Sequence, residues 1–170
     1  SGQVFDADAG LLGQGNFYGR RPAMLGLNIG ALELALLNNP TTTTGMGLPA
    51  NVDPDWNLPR FEAAYQLKMD SFYLRPFGGI QYFKVDQGAS TLTDDLDILS
   101  YVVGLGGMVN IGAFRIGGQG AYGQNWGNTN AWAGGRWGQT YARATLDGTD
   151  DTNDATSWMA QLVAGLKFSD

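Results

Sequence analysis

The chain has no cysteine and no histidine among its 170 residues. Without cysteine there is no disulfide framework, no thiolate nucleophile and no thiolate metal ligand. Without histidine the commonest general base and metal ligand is missing, so neither a Ser-His-Asp nor a Cys-His set can be assembled. Basic residues are few, 10 Lys and Arg against 16 Asp and Glu, for a net charge of −6. Phosphate contacts need clustered Lys and Arg, so nucleic-acid binding is not expected. No apolar run reaches the roughly 20 residues of a membrane helix. That says nothing against strands, since a barrel strand carries polar residues at every second position. Paired carboxylates fall only in loop-like stretches, and no enzyme is expected. Gly, by contrast, is abundant at 26 residues, without the three-residue period of collagen. The opening Ser1-Gly2-Gln3-Val4-Phe5 shows no signal-peptide pattern and reads as mature or internal sequence.

The informative feature is two-residue alternation. Phe61, Ala63, Tyr65, Leu67 and Met69 share one parity, against Arg60, Glu62, Ala64, Gln66 and Lys68 on the other. Trp158, Ala160, Leu162, Ala164, Leu166 and Phe168 likewise stand against Ser157, Met159, Gln161, Val163, Gly165 and Lys167. Side chains of a strand point to opposite faces in turn, so each segment has one apolar and one polar face. These runs exceed the usual globular strand and match the 9–11 residues or so that a tilted strand needs to cross a bilayer.

The pattern predicts a first strand over residues 22–37, with a parity switch near Ala31 read as a β-bulge or as a strand that ends and bends there. A long polar loop, 38–58, follows. Further strands are expected over 59–69, 72–85, 99–111, 114–125 and 155–168, with short turns at Asp70-Ser71 and Gly112-Ala113 and long loops at 86–97 and 126–154. Short and long connections alternate, as they do in outer-membrane barrels with tight periplasmic turns and long outer loops. The expected fold is therefore all-β: an antiparallel transmembrane β-barrel segment, an up-and-down meander over 22–170, preceded by a loop at 1–21. Six strands fall short of the eight or more of a single-chain bacterial barrel, so a segment of a larger barrel is expected.

Aromatic residues on the apolar parity, Phe61, Phe72, Tyr82, Tyr101, Phe114, Tyr122, Trp158 and Phe168, lie near strand ends with mostly aliphatic residues and Gly between. That placement suits two girdles at headgroup level. A soluble β-sandwich or lipocalin-like barrel has the same period with the apolar face inward. Against it stand Ala63, Gly78, Gly107, Gly118, Gly120 and Ala160 on the apolar parity, where a soluble core would want volume.

The segments Pro59-Arg60-Phe61-Glu62-Ala63-Ala64-Tyr65, Arg75-Pro76-Phe77-Gly78-Gly79-Ile80-Gln81-Tyr82, Tyr101-Val102-Val103-Gly104-Leu105-Gly106-Gly107 and Gly120-Ala121-Tyr122-Gly123-Gln124-Asn125 resemble the Gram-negative general porins. They are most similar to the homotrimeric porins of Desulfovibrio-like sulfate reducers. The resemblance implies an outer-membrane barrel, sixteen-stranded and trimeric in that family, passing small hydrophilic solutes passively. The chain departs from the family in being under half its length and in lacking a terminal aromatic residue.

On the polar parity, Arg60, Glu62, Gln66, Lys68, Arg75, Gln81, Arg115, Gln119, Gln161 and Lys167 are the candidate pore-lining residues. They either hydrate the wall or set a transverse field, as charged rings do in pores. Arg20 and Arg21, with Asp6 and Asp8, are candidates for a constriction if residues 1–21 fold into the lumen; the alternative places the two arginines at the periplasmic rim. Asp147, Asp150, Asp151 and Asp154 form a weak Ca²⁺ candidate with no EF-hand Glu, and solvated outer loops are the preferred reading, since Asp, Asn and Gly are also the turn residues. No cofactor is otherwise expected. The expected partners are lipid, lipopolysaccharide and further copies or further barrel sequence. The rival function is a small structural or adhesive outer-membrane barrel with no through-path. The many small residues on the polar parity, among them Gly79, Gly104, Gly106, Gly117, Gly123 and Gly165, favour an open lumen.

Overall fold

The computed structural model describes residues 23–38, 56–85, 94–128, 143–147 and 151–166. These form an antiparallel meander. β1 (Ala23–Ile29) and β2 (Leu32–Asn38) make a hairpin. β3 (Trp56–Asn57), β4 (Arg60–Tyr65) and β5 (Leu67–Lys68) run in succession along β6 (Phe72–Val85). Then come β7 (Leu96–Ile111) and β8 (Phe114–Gln124), a separate small pair of β9 (Thr145–Asp147) and β10 (Asp151–Asn153), and β11 (Thr156–Leu166). The sheet order is β1-β2-β4-β6-β7-β8-β11, leaving β1 and β11 at its edges. Among the described residues the only helical element is a 3₁₀ turn at Trp126–Asn128.

The stretch expected as one strand over 22–37, with a bulge or an end and bend near Ala31, is a hairpin: the bulge is excluded and the chain ends one strand and bends back there. Gly30 takes φ +60° and Gly112 φ +59°, each followed by Ala and preceded by Ile, so Ile29-Gly30-Ala31 and Ile111-Gly112-Ala113 make the same two-residue turn. Positive φ at the first central residue alone is the type II′ pattern, whose twist suits antiparallel strands. The parity switch near Ala31 has its cause here. Leu25 pairs with Leu36 and Leu27 with Leu34, so the turn brings both sets of leucines onto one face. Seven strands therefore cross the sheet among the described residues, and the three short connections that join crossing strands (Gly30-Ala31, Met69 to Ser71, Gly112-Ala113) lie at the same end.

A bulge interrupts β3 and β4. Asn57 pairs with Phe83 and Phe61 with Ile80, so Leu58, Pro59 and Arg60 oppose only Tyr82 and Gln81. Pro59 has no N–H to give to a ladder, while the Leu58 N–H donates to the Tyr82 carbonyl at 3.0 Å. β7 starts at Leu96 rather than 99, which places Asp97 inside the strand opposite Lys84.

Alternation assigns the two faces opposite environments. Leu25, Leu27, Ile29, Leu36, Ile80, Val103, Leu105, Ile116, Trp158 and Leu162 share one face and are exposed, Leu162 at 80 %. On the other face Arg60, Arg75, Gln81, Ser100 and Gln119 are buried, together with Phe83, Val85, Leu96, Ile98 and Val102. Across that inner face Arg75 on β6 pairs with Glu33 on β2, two strands away.

Small residues on the inner face do not leave empty space at mid-sheet. Phe77 lies across Gly104, where a Cβ would meet its ring at 2.3 Å and the Gly120 carbonyl oxygen at 2.8 Å. Val102, Ala121 and Trp126 continue this cluster, with Phe77 and Met159 against it. Gly104→Val should overpack the site and lower unfolding free energy by about 1–3 kcal/mol. Gly165→Ala, with nothing within 4 Å of the added Cβ, should shift it by no more than about 0.5 kcal/mol. Denaturant melts of the two variants beside the parent check this.

Candidate functional site

All the described candidates on the polar parity stand on the inner face, and most of them are tied into small groups. The Arg60 Nε lies 2.8 Å from Glu62 Oε1, with both side chains largely covered. Arg75 Nη2 and Gln66 Nε2 both donate to the Glu33 carboxylate, one to each oxygen. Gln119 Nε2 donates to Gln161 Oε1 at 2.9 Å. Arg115 sits at the short-turn end, exposed, and its Nε donates to Asn110 Oδ1 at 3.2 Å. Lys68 is also exposed near that end. Lys167 lies outside the described residues.

Alternation explains this grouping. Cross-strand partners share a face, and Arg75, Gly106, Gln119 and Gln161 form one register row across β6, β7, β8 and β11. Gly106 removes the side chain between Arg75 and Gln119. A buried guanidinium left without a carboxylate costs several kcal/mol, so Glu62 and Glu33 stand where Arg60 and Arg75 are desolvated. Sequence reading missed Glu33. Its parity within Leu32 to Asn38 becomes inward only once Gly30-Ala31 is recognised as a turn.

At the long-connection end a chain segment folds over the inner face. Ala144 is fully buried against Phe83, Val85, Leu96 and Ile98, with Leu146 packed on the same cluster. The Ala144 N–H donates to Asn128 Oδ1 at 2.9 Å and Arg143 Nε to the Gly127 carbonyl at 3.1 Å. Burial pushes the Arg143 guanidinium below its ordinary pKa. The described parts of 126–154 thus approach the inner face instead of forming only an outward loop. The proposed constriction residues Arg20, Arg21, Asp6 and Asp8 lie outside the described residues.

Asn125 anchors this segment. It is fully buried, with φ 51°. Its Nδ2 donates to the Leu99 carbonyl and to Asp154 Oδ1, and its Oδ1 accepts from the Ala155 N–H. Its own carbonyl accepts from Ser100 Oγ at 2.9 Å. Asn is among the few non-Gly residues that tolerate the left-handed region. Asn125→Ala removes three side-chain hydrogen bonds and strains the backbone, and should cost about 2–4 kcal/mol. Asn125→Gly relieves only the strain and should recover at most about 1 kcal/mol of that loss. Thermal unfolding of both variants checks the order.

Of the Ca²⁺ candidates, Asp154 is held by the Gln124 and Asn125 amides, and Asp147 stands opposite Asp151 in the small hairpin. Asp150 lies outside the described residues. Among the described residues no group of three or more acidic or metal-ligating side chains converges.

The girdle candidates Phe61, Phe72, Tyr82, Tyr101, Phe114, Tyr122 and Trp158 stand on the outer face; Phe168 lies outside the described residues. Phe72 and Phe114 begin strands at the short-turn end, while Phe61, Tyr82, Tyr101, Tyr122 and Trp158 lie toward the other. Beyond Tyr82 the outer face turns polar: Tyr82 Oη donates to Asp97 Oδ1 at 2.6 Å, and Lys84 Nζ lies 3.0 Å from the same oxygen. No helix among the described residues is long and apolar enough to span a membrane, which says nothing of strands. Comparison of the chain with protein-family models, with curated proteins and with solved structures finds no match.

Proposed function

We propose that this sheet is part of the wall of a transmembrane β-barrel in the outer membrane of a Gram-negative bacterium, and that the barrel is a porin for small hydrophilic solutes. The observation that carries the reading is the inversion of the two faces. A sheet folded in water buries its aliphatic face; this one exposes Leu105 and Leu162 and buries Arg60 and Arg75. Hydrocarbon is the solvent in which that arrangement is stable, since a charge on the lipid face at mid-membrane costs about 2–4 kcal/mol. The separation of the two aromatic groups supports the same reading. Strand spans of 8–10 residues at about 3.3 Å each, tilted by about 40°, give an apolar band of roughly 20–25 Å. Lys84 and Asp97 then stand at the outer headgroup level, within reach of lipopolysaccharide. The choice of a pore rests on the porin-like wording of residues 59–125 and on the charged and amide groups of the inner face. The chemistry is passive: a polar wall replaces part of a solute's hydration, and the segment around Ala144 narrows the path.

A second reading is favoured by the apolar clusters on the inner face. Phe83, Val85, Leu96 and Ile98 under Ala144, with Phe77 over Gly104, suit a barrel whose interior is packed by side chains, as in small outer-membrane proteins. Single-channel conductance of the full-length protein in a planar bilayer separates the two. The porin reading expects stable conductance steps; a silent bilayer with inserted protein favours the packed barrel. Nitroxide labels test the membrane reading itself. Labels at Leu105 and Leu162 should respond to a lipid-soluble relaxer and a label at Gln119 to a water-soluble one. Equal water access at all three sinks it.

A further inference from the structure

On the outer face, small residues recur as cross-strand pairs with a branched aliphatic residue at each end of the register row. Leu34, Ala63, Gly78 and Val103 form one such row across β2, β4, β6 and β7. Leu74, Gly107, Gly118 and Leu162 form a second across β6, β7, β8 and β11. The aliphatic side chains lean over the small pair between them. Val103 Cγ1 lies 3.6 Å from where a Cβ on Gly78 would stand, Leu74 Cδ1 3.2 Å from that of Gly107, and Leu162 Cδ1 3.5 Å from that of Gly118. These cross-strand contacts fill what two small neighbours leave open. A third row begins the same way, with Leu105, Gly120 and Ala160. Among the described residues it stops at β11, one position short of its second aliphatic residue.

The backbone of β11 is open at the same place. The Asn125 N–H donates to the Ala155 carbonyl at 2.9 Å, and this pair continues the register that sets Gln124 opposite Thr156. Hydrogen-bonded pairs recur at every second position of an antiparallel ladder. The odd-numbered residues of β11 therefore bond β8, and Thr156, Trp158, Ala160, Leu162, Ala164 and Leu166 aim their N–H and C=O groups at the other edge. No strand lies beyond that edge among the described residues. A sheet that ends in water blunts its free edge with charge, proline or a bulge. β11 has none of these: its 11 residues include no charged residue and no proline, and they pair with β8 one for one.

We propose that the open edge of β11 is an interaction surface for one further strand of the barrel wall, antiparallel to β11 and carrying Val, Ile or Leu opposite Ala160; this deepens the wall reading above and rests on it. β11 runs from the long-connection end toward the short turns, so the added strand runs outward from the short-turn end. The residue opposite Ala160 exchanges both its backbone hydrogen bonds with Ala160, at a Cα separation of about 5.5 Å. Its side chain then stands on the outer face and completes the row as aliphatic, small, small, aliphatic. Hydrocarbon offers the edge groups of β11 no other partner. A polar residue opposite Ala160 would leave the gap over Gly120 and Ala160 unfilled and set a polar group toward lipid.

The experiment is solid-state NMR of the isotopically labelled full-length protein in lipid bilayers, reading the cross-strand contacts of Ala160. Its amide is expected to contact a strand other than β8 in antiparallel order, and its methyl the methyl groups of a Val, Ile or Leu on that strand. Ala160→Leu puts a second branched side chain into the same gap. It should speed hydrogen exchange at the Leu162 and Ala164 amides several-fold and leave Gln161 and Val163, which bond β8, unchanged. The contacts in the parent protein decide the matter if that variant does not fold. No strand beside Ala160, a parallel strand, or any other residue type opposite Ala160 overturns the assignment, as does exchange unmoved by Ala160→Leu. A nitroxide at Leu105 in the same bilayers separates the two readings. Lipid access there with the strand absent overturns the edge assignment and leaves the wall reading standing; water access there overturns both.

Discussion

The backbone ladder holds the sheet together, because the aliphatic side chains on the outer face point away from the interior and cannot form a shared core. The strands of the main sheet pair in the continuous order β1-β2-β4-β6-β7-β8-β11, and β6 and β7 are in register from Phe72 and Val109 to Val85 and Leu96. On the membrane reading proposed above, an unpaired N–H or C=O would have no water to turn to, so a ladder of this kind is the condition under which Leu25, Leu105 or Leu162 could face lipid. The bulge at Pro59 obeys the same accounting. The residue that cannot donate is placed in the one stretch where three residues face two, and the Leu58 N–H supplies a bond to Tyr82 in the gap.

The ladder fixes the faces, and the inner face must then solve a different problem. Its arginines are desolvated, so each buried one has a carboxylate supplied by alternation: Glu62 two residues from Arg60 on the same strand, Glu33 across β4 from Arg75. Between these polar groups the apolar inward residues interlock by size. Phe77 fits because position 104 is Gly, and the Val102, Ala121 and Trp126 cluster seats the turn that begins at Asn125. Asn125 then couples β7, β8 and the start of β11 through one side chain. The covering of the inner face at that end is therefore built from sheet and turn together.

Period two made much of this readable. Two-residue alternation located β6 from 72 to 85, the turn at Gly112-Ala113, and the face of Arg75, Gln119 and Gln161 with no knowledge of pairing. What escaped were features that alternation does not encode. The hairpin at Gly30 was hidden because both its strands are apolar on one parity and the change of parity looked like a defect. The repeated Ile-Gly-Ala triplet at 29–31 and 111–113 was the available signal. Glu33 followed that error, since an acid in an apolar run has no assignable face until the turn is placed. The inward approach of Ala144 was invisible for another reason. It depends on Asn128 and on a cluster contributed by β6 and β7, and a Gly-, Asn- and Asp-rich stretch shows only that the chain turns.

The hairpin at Gly30 also changes what can complete this sheet. With seven strands in strict antiparallel succession, β1 and β11 run in the same direction, both from the long-connection end toward the short turns. Paired directly, they would make a parallel seam. Two copies of the sheet inserted in the same orientation meet the same difficulty, because every free edge of every copy runs that way. An all-antiparallel barrel containing this sheet therefore takes an odd number of further strands between β11 and β1, the first and last of them running outward from the short-turn end. Each needs apolar residues in phase with Leu25, Leu27 and Ile29 on one side and with Trp158, Leu162 and Leu166 on the other, since a slip of one residue would carry its polar face into lipid. Direction and phase together restrict the complement far more than the exposed edge alone would.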